Sequence, residues 1–225
     1  MPQGAAVVVG ASGGIGHALL EALGNAPGFD AVVGLSRPVL ELGDEASIAR
    51  AAAQFPKGSV RLVINATGLL HDAGQRPEKS LAALAPESLA RSFAVNAVGP
   101  ALLMKHFLPR LPRQGRAVFA SLSARVGSIG DNRLGGWYGY RASKAALNQL
   151  VRTAAIELAR THPEAICVAL HPGTVATRLS APFVGEGATP LEPEEAAAHL
   201  LAVLAGLTAA DSGGFFDWRG APVPW

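Results

Sequence analysis

The stretch Ala5-Ala6-Val7-Val8-Val9-Gly10-Ala11-Ser12-Gly13-Gly14-Ile15-Gly16 decides the fold of this 225-residue chain. Its first five residues are apolar without interruption, which is typical of a strand that is covered on both faces. A glycine-rich turn follows, and residues 17–23 have the composition of a helix that ends at Gly24 and Asn25. This order indicates dinucleotide binding, because glycines let a pyrophosphate approach the amide groups at a helix N-terminus. The alternative interpretation is a purely structural turn.

Six further apolar stretches predict strands, at residues 31–35, 40–42, 60–64, 116–120, 166–170 and 214–218. Helical patterns lie between them, at residues 45–54, 86–110, 140–162 and 192–207. Because strands and helices alternate without a repeat or a break in composition, the sequence predicts an α/β fold in one domain, residues 1–225. The predicted fold is a doubly wound parallel sheet of seven strands flanked by helices. Residues 178–190 are rich in small residues and predict an irregular segment near the substrate.

Composition excludes several classes of protein. Hydrophobic residues make up 49% of the chain and charged residues 16%, which argues for a folded globule. The net charge is only +2 and no basic block is present, so nothing favours nucleic acid. No signal peptide is recognisable, and the longest apolar run is shorter than the roughly 20 residues that span a bilayer. The sequence therefore predicts a soluble protein without a membrane partner. Because its single cysteine, Cys167, cannot form an internal disulfide, the sequence also predicts a cytoplasmic location.

Polar residues follow two of the predicted strands at the edge where a ligand would bind. Ser36 and Arg37 end the second strand; an acidic residue there would bind the ribose of NAD, whereas arginine suits the 2′-phosphate of NADP. Arg37 could also be an ordinary surface cation. Asn65-Ala66-Thr67-Gly68 follows the strand at 60–64, and its small residues would let the backbone lie against a ligand.

Tyr140 and Lys144 are four residues apart near the start of a helix, so they share one face of it. A nearby ammonium group favours the phenolate and lowers the pKa of a tyrosine, as general acid–base chemistry near neutral pH requires. Taken alone, the two residues would more simply be a surface pair with an extended lysine.

Together these motifs resemble the short-chain dehydrogenase/reductase family over essentially the whole chain. The resemblance rests on five features in the family's order: the glycine turn, residues 65–68, Asn96 within a helix, Tyr140 with Lys144, and Pro172-Gly173 with Thr177. Residues 126–132 and the sequence Gly135-Gly136-Trp137-Tyr138 are also similar to the C-factor and sniffer-like carbonyl reductase branch. The fold implied is of the Rossmann type.

The resemblance implies a role for each motif. Tyr140 would donate a proton to a carbonyl, Lys144 would lower its pKa and bind the nicotinamide ribose, and Asn96 would anchor a proton-relaying water. NADP would be bound, in preference to NADH, by Gly10, Ser12, Gly13, Gly14, Ile15, Gly16, Ser36, Arg37, Glu41, Leu42, Asn65, Ala66, Thr67, Gly68, Tyr140, Lys144, Pro172, Gly173, Val175 and Thr177. No metal is implied. The partners would be a small carbonyl or alcohol substrate and further copies of the chain, as a homodimer or homotetramer assembled through the helices holding Asn96 and Tyr140.

The family also places a serine thirteen residues before the tyrosine, but Gly127 stands there in this chain. We choose Ser123 as the catalytic serine. Counting back three residues from Gly127, as the family's loop suggests, leads instead to Ala124. Ser121 and Ser128 remain alternatives, as does a site that lacks this hydroxyl.

Two other functions are compatible with parts of the pattern. A regulatory or signalling protein that binds NADP(H) with little turnover would use the same fold, because fold does not determine function. The hypothesis of a methyl-donor-binding enzyme would explain the glycine turn, but it assigns no chemical role to Tyr140 and Lys144.

Overall fold

Six parallel strands form one sheet in the order β2-β1-β3-β4-β5-β6 in a computed structural model that describes residues 4–185 and 189–225. The strands are β1 (Ala5–Val9), β2 (Ala31–Leu35), β3 (Val60–Asn65), β4 (Ala117–Leu122), β5 (Ala165–His171) and β6 (Phe215–Asp217). The chain runs from β1 outward to β2 and then returns to place β3 on the other side of β1. A crevice therefore opens at the carboxyl ends of β1 and β3, where sheets of this kind bind ligands. The predicted doubly wound parallel sheet is confirmed.

Helices cover both faces of the sheet. They are α1 (Gly14–Asn25), α2 (Glu45–Ala53), α3 (Pro86–Phe93), α4 (Gly99–Phe107), α5 (Tyr138–Leu158) and α6 (Pro193–Gly206). Val7 and Val9 of β1 point into the core shared with α2, α4 and α5, whereas Ala6 and Val8 point into the core shared with α1 and α6. This alternation explains the uninterrupted apolar run of β1, because both of its faces are buried. In the described ranges, no helix is long and apolar enough to cross a membrane.

The predicted strand at residues 40–42 is wrong, and the sheet has six strands rather than seven. The Leu40 N–H donates to Ser36 O at 3.1 Å, and the Asp44 N–H donates to Glu41 O at 3.0 Å. The Glu41 N–H donates to the Ser47 hydroxyl of α2 at 2.9 Å. Because local partners satisfy these backbone groups, the segment forms turns that lead into α2, and β2 is left as an edge strand.

The predicted helix at 86–110 is interrupted at its centre. Residues Ala94–Val98 form a π-helical turn between α3 and α4, and the Gly99 N–H donates to Ala94 O, five residues earlier. Pro100 has no N–H to donate to the carbonyl of Asn96, so the regular hydrogen-bond ladder is already broken at this point. Single π-turns of this kind often accompany functional residues, and Asn96 lies inside this one.

The irregular segment predicted at 178–190 is described in part. Residues Ala181–Phe183 form a short 3₁₀ turn, and Val175 and Leu191 bridge the two ends of the segment. Residues 186–188 of the prediction lie outside the described part of the chain.

Candidate active site

A cavity of about 650 Å³ opens at the carboxyl ends of β1, β2 and β3. A volume of this size is typical of small-molecule and cofactor sites. Most of the residues predicted to bind cofactor line it: Gly10, Ser12, Gly13, Gly14, Ile15, Gly16, Ser36, Arg37, Glu41, Leu42, Ala66, Thr67, Gly68 and Thr177. Among the described residues, no group of three or more His, Cys, Asp or Glu side chains could hold a metal ion.

The glycine turn brings the start of α1 under the end of β1. Gly10 adopts a left-handed φ of +85°, and its N–H donates to Leu35 O of β2 at 2.8 Å. A Cβ atom on Gly16 would lie 2.2 Å from Gly10 O, so only glycine allows this approach. The Ser12 N–H donates to the Ser36 hydroxyl at 2.9 Å. The turn thus orients the end of β2, where Arg37 is exposed at the cavity.

Asn65, at the end of β3, does not line the cavity but shapes the backbone that does. Its buried amide donates to the Ser121 hydroxyl at 3.1 Å and accepts from the Thr67 hydroxyl at 2.6 Å. A Cβ atom on Gly68 would lie 3.6 Å from Lys144 Nζ and 3.7 Å from Asn96 Oδ1. The backbone of residues 66–68 therefore runs between the cavity and the two predicted catalytic side chains.

Asn96 is fully buried and joins this loop to α5. Its Oδ1 accepts from the Leu69 N–H at 2.8 Å, while its Nδ2 donates to Leu69 O at 2.8 Å and to the Ser143 hydroxyl at 3.1 Å. Ser143 in turn donates to Tyr140 O at 2.9 Å. Because both N–H donors of the side-chain amide are used, this amide could hold a water molecule only through Oδ1.

Tyr140 and Lys144 lie one turn apart on α5, with Lys144 Nζ 5.8 Å from the centre of the phenol ring. Lys144 is 2% exposed, and its Nζ donates to Leu122 O of β4 at 2.9 Å. Burial lowers the pKa of Lys144 to about 8. Burial also raises the pKa of Tyr140 above its ordinary value, so the expected lowering by the ammonium is outweighed in the protein alone.

Three aromatic side chains form a chain of edge-to-face contacts that leads to Tyr140. The ring centres of Trp137 and Tyr140 are 6.2 Å apart, those of Trp137 and Phe183 5.2 Å, and those of Phe183 and His71 5.3 Å. Trp137 has a left-handed φ of 52° at the start of α5, and its N–H donates to Glu78 O at 2.5 Å. The contacts to Phe183 therefore place the 3₁₀ turn of the 178–185 segment beside the predicted proton donor.

The three candidate serines are buried and bonded to protein groups. Ser121 accepts from Asn65, and the Ser123 hydroxyl donates to Asn148 Oδ1 at 2.6 Å. Ser128 accepts from the Asp131 N–H at 3.1 Å. Asn148 lies one turn beyond Lys144 on α5, so the chosen serine, Ser123, directs its hydroxyl toward that turn.

Six residues predicted to bind cofactor are not among those that line the cavity: Asn65, Tyr140, Lys144, Pro172, Gly173 and Val175. Gly173 packs against Trp218, where an added Cβ atom would meet the indole at 3.0 Å, and Val175 is 3% exposed.

The cavity is also lined by residues that the sequence analysis missed, among them Arg91, Val95 and Leu179. The four-residue spacing of Arg91 and Val95 just before Asn96 was an available signal for the first two. His71, which lines the cavity, donates from Nε2 to Arg178 O at 3.1 Å.

Comparison with known proteins identifies similar sequences over most of the chain. A family model described as enoyl-(acyl carrier protein) reductase matches residues 3–204. A 1-hydroxy-2-glutathionyl-2-methyl-3-butene dehydrogenase of Rhodococcus sp. (strain AD45) is 32% identical over 231 residues, covering 97% of this chain and 98% of its own. C-signal of Myxococcus xanthus is 40% identical over 138 residues, covering 61% of this chain and 78% of its own.

Solved structures with the same fold are also found. The NADPH-bound carbonyl reductase from chicken fatty liver superposes with a TM-score of 0.85 at 27% identity, covering 98% of this chain and 94% of that one. The carbonyl reductase Sniffer of D. melanogaster gives a TM-score of 0.84 at 23% identity, with both chains covered completely. At that identity, the likeness to Sniffer shows the fold alone.

Proposed function

We propose that this chain, which belongs to the short-chain dehydrogenase/reductase family and is an NADP-dependent oxidoreductase of its carbonyl reductase branch, transfers a hydride between a nicotinamide and a carbonyl or alcohol substrate. One observation carries the choice of reacting groups. Tyr140 and Lys144 lie one turn apart on α5, and Lys144 Nζ lies beside the Gly68 backbone that borders the cavity. The same reasoning treats the chain as a single cofactor-binding domain, residues 1–225.

The residues around the cavity fit a dinucleotide. Gly68 leaves a space beside Lys144 and Asn96 that a side chain would fill, whereas Gly10 and Gly16 let the backbone of the turn pack closely beneath α1, where a Cβ atom on Gly16 would collide with Gly10 O. The N-terminus of α1 would face the phosphates, since it supplies unpaired N–H groups and a positive dipole end. When bound, the cofactor supplies the hydride from its nicotinamide ring.

In the reducing direction Tyr140 would give its proton to the substrate oxygen. Because burial raises its pKa, the phenol keeps this proton throughout the neutral range and is ready to act as an acid. Lys144, with a pKa of about 8, is largely charged at pH 7, and its ammonium would stabilise the phenolate that remains. We assign two roles to Asn96. Its side chain holds α5 against residue 69, and its Oδ1 would bind a water molecule through which Lys144 exchanges protons with solvent.

The preference for NADPH over NADH rests on Ser36 and Arg37. Arg37 lines the cavity and, among the described residues, forms no ion pair, so its guanidinium can bind a 2′-phosphate. The nearest carboxylate in sequence, Glu41, lines the same cavity four residues later.

The substrate and the assembly are also proposals. Trp137, Phe183 and His71 form an aromatic wall beside Tyr140, which favours an apolar carbonyl compound. Val98, Leu150 and Ile156 are exposed on the segment of Asn96 and on α5, as a homodimer or homotetramer joined through these helices requires. Cys167 is a buried free thiol, which suits a reducing compartment, and we place the protein in the cytoplasm.

The test is NADPH oxidation with a panel of aldehydes and ketones, followed by the same assay on Tyr140→Phe. The substitution should lower kcat by about 100- to 10,000-fold, because it removes a general acid. The NADPH dissociation constant, measured by fluorescence titration, should change less than twofold. Full activity in Tyr140→Phe would show that another group donates the proton.

A second candidate, a regulatory or signalling protein that binds NADP(H), is favoured by the 40% identity to C-signal over 138 residues. It predicts tight NADPH binding without turnover of any carbonyl compound on the panel. Measuring binding and turnover on one preparation separates the two candidates.

A further inference from the structure

The serines of residues 121–128, at the end of β4 and in the loop after it, are all buried and hydrogen-bonded to protein groups. Ser121, Ser123 and Ser128 are 0%, 3% and 1% exposed. Ser121 meets the amide of Asn65, Ser123 the amide of Asn148, and Ser128 the backbone of Asp131. Ser121 and Ser128 only accept in these contacts and keep their own protons, but both are buried, so a substrate oxygen would have to enter a packed region to reach either of them.

Ser123 is held by two hydrogen bonds, one from its hydroxyl and one from its backbone N–H. Its hydroxyl donates its single proton to Asn148 Oδ1 at 2.6 Å, and its N–H donates to Leu170 O of β5 at 2.7 Å. A serine hydroxyl has only one proton, so Ser123 cannot also donate to a substrate oxygen while this bond exists. Its contacts instead fix the end of β4 to β5 and to the third turn of α5.

Ala124 lies between two backbone contacts that hold this loop to α5. On one side of it, Leu122 O accepts from Lys144 Nζ at 2.9 Å; on the other, Val126 O accepts from the Arg141 guanidinium at 3.4 Å. Lys144 and Arg141 lie on the first turns of α5 with Tyr140. Ala124 is partly exposed, whereas the residues before it, 121–123, are buried. Ala124 is therefore a partly exposed residue in the stretch of loop that is held against the first turns of α5, which carry Tyr140.

We propose that no serine of residues 121–128 binds the substrate oxygen and that Ala124 occupies the position from which a hydroxyl would do so. The inference rests on the proposed function. It implies that, of the side-chain hydroxyls on α5 and on this loop, only that of Tyr140 contacts the substrate oxygen. Ser123 is a positioning residue that acts through Asn148.

The consequence is a reaction site with one fewer donor to the charge that develops on oxygen. Removing such a donor from an enzyme that has it costs about 100- to 1000-fold in kcat. Supplying one at residue 124 should recover part of that factor, because the surrounding loop is already held by Lys144 and Arg141.

The experiment compares Ala124→Ser with Ala124→Cys and with the wild-type protein. Single-turnover reduction at saturating NADPH reports the chemical step and excludes product release. Ala124→Ser should raise this rate by about tenfold or more, as part of the factor that an oxyanion donor contributes. Cysteine has nearly the same size but is a weak donor, so Ala124→Cys should give less than a third of that rise.

Ser123→Ala supplies the opposite test. It should lower the melting temperature, because Asn148 loses its partner, and lower the single-turnover rate by less than tenfold. A rate loss of 100-fold in Ser123→Ala, with no gain in Ala124→Ser, would overturn the inference and restore Ser123 as a contact to the substrate. If neither the wild type nor Ala124→Ser reduces any carbonyl compound although both bind NADPH, the proposed function itself fails.

Discussion

The two halves of the candidate site are shaped by different parts of the chain, one by backbone atoms and the other by side chains. On the side of β1, β2 and β3, the cavity is shaped by backbone: Gly10, Gly16 and Gly68 let main-chain atoms approach closely. On the side of β4 and β5, the site is shaped by side chains that reach across the fold, such as Lys144 to Leu122 O and Ser123 to Asn148. Local sequence determines the first half, whereas long-range packing determines the second. Changes to the two halves should therefore have different signatures.

The largest effect should come from breaking the backbone half. In Gly16→Ala the new Cβ atom would lie 2.2 Å from Gly10 O and 2.8 Å from Gly10 C, so the turn must move. We expect NADPH affinity to fall by at least tenfold and the free energy of unfolding to fall by about 1–3 kcal/mol, as for other overpacked positions. Thermal unfolding and NADPH titration measure both.

Gly24→Ala is the matched control in the same helix. No atom lies within 4 Å of its added Cβ. It should stabilise the protein by about 0.5–1 kcal/mol, because alanine favours helix over glycine, and leave NADPH binding as it is. Equal losses in both variants would show that the glycine turn has no special part in binding.

A smaller effect, confined to one cofactor, should follow from Arg37→Ala. A charge-assisted hydrogen bond to phosphate contributes about 1.5–3 kcal/mol, or roughly 10- to 150-fold in dissociation constant. NADPH binding should weaken by this factor, while NADH binding changes less than twofold. Arg160→Ala, which removes the same charge from an exposed position outside the cavity, controls for net charge. If the two cofactors weaken equally, Arg37 does not recognise the phosphate.

The smallest effect concerns Lys144 in the side-chain half and appears as a pH dependence of stability. The pKa of Lys144 is about 8 in the folded protein and 10.5 ordinarily, so the unfolded chain binds more protons between these values. The free energy of unfolding should therefore rise with pH across this range through this group. Relative to Lys144→Met, the wild type should gain about 1–2 kcal/mol between pH 7 and 9.5.

Denaturant unfolding of both proteins at several pH values measures this difference. Tyr140 has a raised pKa and acts with the opposite sign, but only above about pH 10, its ordinary value, and equally in both proteins. A constant difference between the two proteins would mean that Lys144 is hydrated and not buried as described.

The sequence was sufficient where structure depends on neighbours in the chain. The run Ala5–Val9, the glycine turn and the four-residue spacing of Tyr140 and Lys144 each predict their own local geometry. Residues 40–42 have strand composition, but hydrogen bonds to Ser36, Asp44 and Ser47 hold them in turns. The π-turn at Asn96 combines a local cause, Pro100, with a distant partner, residue 69.

The sequence also could not decide which of the three candidate serines is catalytic. Spacing alone left Ser121, Ser123 and Ser128 open, because it says nothing about where a hydroxyl proton goes. Their partners, Asn65, Asn148 and Asp131, lie 56, 25 and 3 residues away, so two of the three contacts depend on the assembled sheet and α5. The roles of the site residues themselves stay predictions until the variants are measured.

The burial of Cys167 has a practical consequence for following motion in this protein. The thiol is fully enclosed in β5, and burial raises its pKa to about 12, so almost none of it is the reactive thiolate near pH 7. Maleimide dyes should therefore react very slowly with Cys167 in the native protein. A cysteine introduced at exposed Ala181 would be the one site of labelling, and its fluorescence could report movement of the segment beside Phe183 when a ligand binds.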